Sequence, residues 1–314
     1  MGSNPASPTD QHDPVESNLG GVLCCLELAQ RGHRMQRRFY QVDVFSSTPY
    51  KGNPVGVVLD GQDLETEAMQ AYSLWSNLSE VTYVLPASDE QADFQFRIFA
   101  RQHEYRFAGH PALGTARAWL DAGGVPHNPR QLILECGAGL VPINIDGDVL
   151  SFASPATIRS GDLEADELKE LVTILDIDPA TVKDSQWVDN GPGWAAVLLE
   201  NSEQVLDIVP KIPQGPGRWK IGVIGALPQD RWPEKFEFRA LTIEDGALRE
   251  DPVTGSLNGA ATDWLIHAGY TTVPLINRQG TKVGRQGRVH MDRQDSQLWV
   301  GGATTILISG TIEL

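Results

Sequence analysis

Three ionisable side chains of this 314-residue chain sit beside turn segments in settings that suit proton transfer. Glu80 closes Asn77-Leu78-Ser79-Glu80, where a helical pattern gives way to a strand pattern. His110 lies in Phe107-Ala108-Gly109-His110-Pro111, and Asp251 in Arg249-Glu250-Asp251-Pro252. Each of the latter two segments leads into a helix, read as Pro111 to Ala122 and Ser256 to Ala268. A helix start presents unpaired N–H groups and a partial positive charge, so the Gly-rich segments Phe107–Pro111 and Pro252–Ser256 suit a carboxylate or an oxyanion. A carboxylate and a histidine in one cleft suit general acid–base work, because burial and neighbouring charge can bring both towards neutral pH. Taken singly, each has an ordinary alternative. Glu80 and Asp251 read as turn acids, His110 as a loop residue bonded to backbone, and Thr254 or Ser256 as a plain helix cap.

The elements that must position these residues follow from hydrophobic periodicity. Phe39–Phe45, Val55–Leu59, Val81–Leu85 and Phe94–Phe99 read as strands, and Asp63–Leu74 as a helix with Leu64, Ala68, Ala71 and Leu74 near one face. Val141–Ile145 and Val149–Ala153 flank an Asp-Gly-Asp turn. The second half runs in the same order: helix Asp162–Leu175, strands Gln186–Val188, Trp194–Leu199 and Phe236–Ile243, then the helix from Ser256. Setting Gly109–Gly124 against Thr254–Gly269 aligns Gly114 with Gly259, Ala116 with Ala261, Trp119 with Trp264, Leu120 with Leu265 and Gly124 with Gly269. Each of these helices follows a Phe-Arg strand, Phe96-Arg97 and Phe238-Arg239. The order implies an α+β fold of two similar lobes, each a strand-rich sheet wrapped on one central helix. Small residues in those helices would let strands approach closely. We expect lobes at 39–155 and 156–302, and a final strand at 303–314 returning to the first lobe. Residues 1–38, polar and then basic at Arg31, Arg34, Arg37 and Arg38, read as a poorly ordered extension, or as a targeting or partner-binding arm.

Composition narrows the function. Asp and Glu number 41 against 25 Lys and Arg, a formal charge of −16, which disfavours nucleic acid and anionic lipid as partners. No apolar run approaches the ~18 residues a membrane span needs. Cys24, Cys25 and Cys136 have no metal-type spacing and read as free thiols of a cytoplasmic protein. His103, Glu104 and His110 match no common metal pattern. No G-x-S-x-G elbow or phosphate-binding loop occurs, and Gly137-Ala138-Gly139 lacks the third glycine of a dinucleotide fingerprint.

Together, Tyr40–Phe45, Gly52-Asn53-Pro54-Val55, Asn77-Leu78-Ser79-Glu80, Arg97-Ile98-Phe99, Phe107–Ala116, Glu250–Ser256 and Gln279-Gly280 with Gly284-Arg285 resemble, in order, the PhzF-like (phenazine biosynthesis) family, which has the diaminopimelate epimerase-like fold. The resemblance implies two pseudo-symmetric barrel-like lobes with the site between them, and a homodimer. It implies a cofactor-independent isomerase acting on a small, carboxylate-bearing, conjugated metabolite. In it Glu80 shuttles the proton, His110 and Asp251 assist, and Gly109, Gly255 and Ser256 bind substrate. Racemases of this fold use a cysteine at each helix start; this chain has His110 and Ser256 near those places, so one-carboxylate allylic proton transfer fits better than two-thiol inversion. Ala100-Arg101 and Val81 depart from the usual pattern beside the expected pocket, which bears on the substrate. The competing readings are a non-catalytic small-molecule-binding or interaction protein on the same fold, and a metal-dependent hydrolase.

Overall fold

In the computed structural model, residues 35–101, 103–212, 218–244 and 246–314 are described. Along the chain run β1 (Gln36–Val44), β2 (Asn53–Val58), α1 (Thr66–Ser76), β3 (Glu80–Leu85), β4 (Phe94–Ala100), β5 (Glu104–Tyr105), α2 (Gly109–Asp121), β6 (Gln131–Cys136), β7 (Gly139–Asp146), β8 (Val149–Ala153), β9 (Arg159–Asp162) and α3 (Ala165–Leu175). There follow β10 (Val182–Asp189), β11 (Trp194–Asn201), α4 (Ser202–Asp207), β12 (Trp219–Ala226), β13 (Phe236–Glu244), β14 (Ala247–Asp251), α5 (Gly255–His267), β15 (Leu275–Gln279), β16 (Gly287–Gln294) and β17 (Gln297–Glu313).

The fold is α+β. Strands β17-β1-β2-β3-β4-β6-β7-β8 pair edge to edge and return to β17, closing an 8-strand barrel. Alternation along the strands sends apolar residues inward: in β4, Phe94, Phe96 and Ile98 are buried while Gln95 and Arg97 are less so. Those residues pack with Ala112, Leu113 and Ala116 of α2 and with Phe152 and Val300 in one core. The second half repeats the plan along β9-β10-β11-β12-β13-β15-β16-β17 around α5. Its strands put Trp194, Ala196, Ile224, Phe238 and Ala240 against Leu257, Ala260, Ala261, Trp264 and Leu265. The repeat extends to strand polarity. β2 with β3 and β11 with β12 are parallel, as are β4 with β6 and β13 with β15, while β5 and β14 are antiparallel additions to β4 and β13.

Small residues let sheet and helix close up. A Cβ on Gly114 would stand 2.3 Å from Val55 Cγ1, and one on Gly259 2.5 Å from Ser154 Oγ. Gly114→Ala is expected to destabilise by about 1–3 kcal/mol, since the strand cannot retreat from a closed barrel. An unchanged denaturation midpoint would contradict that packing.

Several expectations are corrected. β1 begins at Gln36 rather than Phe39, so Arg37 and Arg38 belong to a strand. The Arg38 guanidinium meets Asp60 at 2.7 Å, and Arg37 donates to the carbonyls of Asp60 and Gln62. Residues 1–34, with Cys24, Cys25, Arg31 and Arg34, lie outside the described residues. The helix expected from Asp162 starts at Ala165, because Glu167 accepts the Glu164 N–H at 3.0 Å and Arg159–Asp162 pairs with β10 instead. β12 carries no clear strand pattern in its sequence because Gly222 and Gly225 interrupt it. Gly222 is needed there, as its Cβ would fall 2.4 Å from Leu257 Cδ1 of α5. Among the described residues no helix is long and apolar enough to cross a membrane.

Candidate active site

Glu80 is placed by the end of α1 and the start of β3. Asn77 ends the helix in the left-handed region (φ 59°), a conformation Asn tolerates well, and the chain then reverses into β3 with Glu80 as its first residue. Two residues on, Thr82 points to the same face of the strand. It bonds the Thr115 hydroxyl of α2 at 2.7 Å, and Thr115 donates to Pro111 O at 2.6 Å. This stitch turns the Glu80 face of β3 towards the start of α2, where His110 Nε2 lies 3.3 Å from Glu80 Oε2.

That contact is between two neutral groups. Burial pushes the Glu80 carboxyl up to about 8, helped by the negative charge of Asp251. Burial pushes His110 down to about 3, against the opposing effect of its bond to the Pro54 carbonyl. The ring must donate to Pro54 O through Nδ1, because Nε2 is the nitrogen facing Glu80 and has no hydrogen-bond partner among the described residues. The free imidazole acceptor therefore faces a carboxyl that keeps its proton at pH 7. Glu80 Oε2 likewise lacks a partner at hydrogen-bonding geometry. Both atoms are buried and 3.3 Å apart, so each has bonding capacity that a substrate group between the two halves could use.

Asp251, at the end of β14, belongs to the opposite half of the fold. Asn53 Nδ2 donates to its Oδ1 at 3.1 Å and also to Val253 O at 2.9 Å, while the Thr254 hydroxyl bonds Oδ2. Burial raises Asp251 to about 6, with Glu250 adding to the rise and Thr254, Asn53 and Lys220 opposing it. The dipeptide Asn53-Pro54 thus touches both sides, the Asn side chain at Asp251 and the Pro carbonyl at His110.

The two helix starts meet at one ring. A Cβ on Gly109 would lie 2.3 Å from Phe152 Cζ, and a Cβ on Gly255 3.0 Å from the same atom. Neither start has a side-chain cap, so the first N–H groups of α2 and α5 remain available to a ligand. Ser256 is fixed from β11 and the turn before it: Trp194 Nε1 donates to Ser256 Oγ at 3.0 Å, and Asn190 Nδ2 to Ser256 O at 3.1 Å. Because an indole N–H only donates, the Ser256 hydroxyl keeps its own proton for another acceptor.

The structure therefore brings Glu80 and His110 into contact, places Asp251 within electrostatic reach of Glu80, and sets Gly109 and Gly255 on one aromatic ring. Cys136 lies elsewhere, in a hollow of about 230 Å³ lined also by Arg97, Glu104 and Tyr105. Glu104 is held by Arg97 at 2.7 Å. Among the described residues no three His, Cys, Asp or Glu gather to hold a metal ion. Sequence reasoning missed the supporting residues. Asn53 stood inside a motif without a role, Thr254 read as a helix cap but spends its hydroxyl on Asp251 instead, and Phe152 and Trp194 carried no signal beyond strand membership. The departures from the usual pattern do flank the site. Ala100 pairs with Glu80 across β3 and β4, and Arg101 donates to Asn77 Oδ1 at 2.7 Å.

Comparison with known proteins gives concordant matches. The family model described as phenazine biosynthesis-like protein (PhzC-PhzF) matches residues 42–310. Antisense-enhancing sequence 1 of Schizosaccharomyces pombe is 32% identical over 88% of this chain and 98% of its own length. Trans-2,3-dihydro-3-hydroxyanthranilate isomerase of Pseudomonas aeruginosa is 41% identical over 36% of this chain and 40% of its own length. The crystal structure of a Bacillus anthracis phenazine biosynthesis protein of the PhzF family superposes with a TM-score of 0.77, covering 88% of this chain and 99% of that one at 22% identity.

Proposed function

This chain belongs to the phenazine biosynthesis-like protein family and is an isomerase, and from that premise we propose that it moves one proton on a small conjugated carboxylate, with Glu80 as the only acid and base. The observation that carries this reading is the neutral Glu80–His110 contact at 3.3 Å beside two uncapped helix starts. A substrate carboxylate or carbonyl would accept from the N–H groups of Gly109 and Gly255 and from the Ser256 hydroxyl. Glu80, as carboxylate, takes a proton from an acidic C–H. The π electrons shift along the conjugated system and the helix starts stabilise the negative charge that develops. Glu80 then returns the same proton to another carbon, so no atom or electron is gained or lost. His110, held neutral, offers Nε2 as an acceptor that keeps the Glu80 proton within the site, and Asp251 orients a donor group of the substrate. The same proposal takes the working form as a cytoplasmic homodimer serving a biosynthetic step, with a metabolite rather than nucleic acid as its partner. The resemblance and the −16 charge support this.

Trans-2,3-dihydro-3-hydroxyanthranilate in D2O is the first probe, followed by proton NMR. Conversion that depends on Glu80 supports the proposal. Conversion that persists without Glu80 overturns its central role, and binding without conversion favours the non-catalytic alternative. The pH profile carries a further expectation. Glu80 must lose its proton to act as a base, so kcat/KM of the free enzyme is expected to rise about tenfold per pH unit and level off near pH 8. A profile that falls above pH 8 would make Glu80 the acid that acts first.

A further inference from the structure

Beneath the start of α5 lies a group of amides and hydroxyls sealed from solvent: Gln279, Asn258, Asn277 and Thr262 are each 0% exposed. Such groups are costly to bury unless each is bonded, and here Gln279 uses the whole capacity of its amide. Its Oε1 accepts from Thr254 N at 3.0 Å and from Asn258 Nδ2 at 2.8 Å. Its Nε2 donates to Asp251 O at 3.1 Å and to Thr254 Oγ1 at 3.0 Å. Asn258 is held in turn by Thr254 O and by Asn277 Nδ2.

Backbone groups settle which way the amide faces. The Thr254 N–H can only donate, so the oxygen of Gln279 is at that end. The Asp251 carbonyl can only accept, so the nitrogen is at the other. The Thr254 hydroxyl therefore receives a hydrogen bond from Gln279, and its own single proton is left for Asp251 Oδ2, which it contacts. We propose that Gln279 is a positioning residue, which aims the Thr254 hydroxyl proton at Asp251 and so keeps that side chain ready as a carboxylate at the base of α5. A proton on Asp251 would weaken the bonds that its two oxygens accept from Thr254 and Asn53, so a donor held at Oδ2 favours the charged form. This inference rests on the reading of Asp251 as a working group of the isomerase site.

The other charges that bear on Asp251 are Glu80 from β3, Glu250 on its own strand and Lys220 from β12. All are left intact in the test, a carboxyl ¹³C titration of Asp251. Gln279→Met is expected to raise its midpoint by about one pH unit, the size of one lost bond to the charged form. Thr254→Val is expected to raise it similarly, the double variant no further, and Thr254→Ser to leave it in place. If Gln279→Met does not fold, Gln279→Asn reads the same effect, because its shorter amide cannot reach both Asp251 O and Thr254 Oγ1 and adds no charge. A lowered melting temperature with an unmoved Asp251 midpoint would make Gln279 merely structural and overturn the proposal. Full turnover by Asp251→Asn would instead remove Asp251 from the mechanism and leave the titration result standing.

Discussion

Glu80→Gln is expected to lower kcat by about 10³-fold or more while substrate affinity stays within a few-fold, because the amide keeps the shape but cannot exchange a proton. The same variant is expected to be more stable than the parent at high pH. The native state holds a proton on Glu80 up to about pH 8, whereas the unfolded chain releases it near its ordinary value of 4.5. More protons are bound when folded, so stability falls as pH rises through that window. The substituted amide carries no such dependence, so the melting temperatures of variant and parent should agree near pH 4 and diverge in favour of the variant above pH 8. Retained turnover would remove the proton-shuttle role. Lost turnover with no alkaline stabilisation would mean that Glu80 is catalytic but not desolvated in the way its surroundings dictate.

Phe152→Ala is the second large effect, with an expected loss of about 3–5 kcal/mol in a denaturant titration. The ring is 1% exposed and lies against Gly109 and Gly255, and Phe107 packs edge-on at 5.7 Å. Its removal leaves a void directly under both helix starts, so their N–H groups would lose the fixed separation a bound anion needs. A fall in kcat beyond what the folded fraction explains is therefore expected. Phe152→Leu, which fills most of the volume, should cost less than about 1.5 kcal/mol. A Phe152→Ala enzyme with near-normal stability and turnover would show that the helix starts are held by other contacts.

Much of this architecture could be read from residue order, for identifiable reasons. The central helices announced themselves through Gly-His-Pro and Thr-Gly-Ser starts followed by small and apolar residues. The internal repeat was visible because both helices meet the same steric demand, close approach by strands, and meet it with Gly114 and Gly259. Strands of strict alternation such as β4 were legible, while β12 was not, since its glycines serve a contact with α5 that only folding creates.

The chemistry divides along the same line. Glu80, His110 and Asp251 were identifiable as proton-handling types beside turns, because side-chain composition is local. Their protonation was not, since burial in the folded protein holds Glu80 near 8 and His110 near 3. Nor could spacing show that Asn53 reaches Asp251 across 198 positions of sequence, or that Phe152 supports both helix starts. Residue types and periodicity are properties of the chain. Distance, desolvation and the direction of a buried hydroxyl proton arise only when the two halves close on each other.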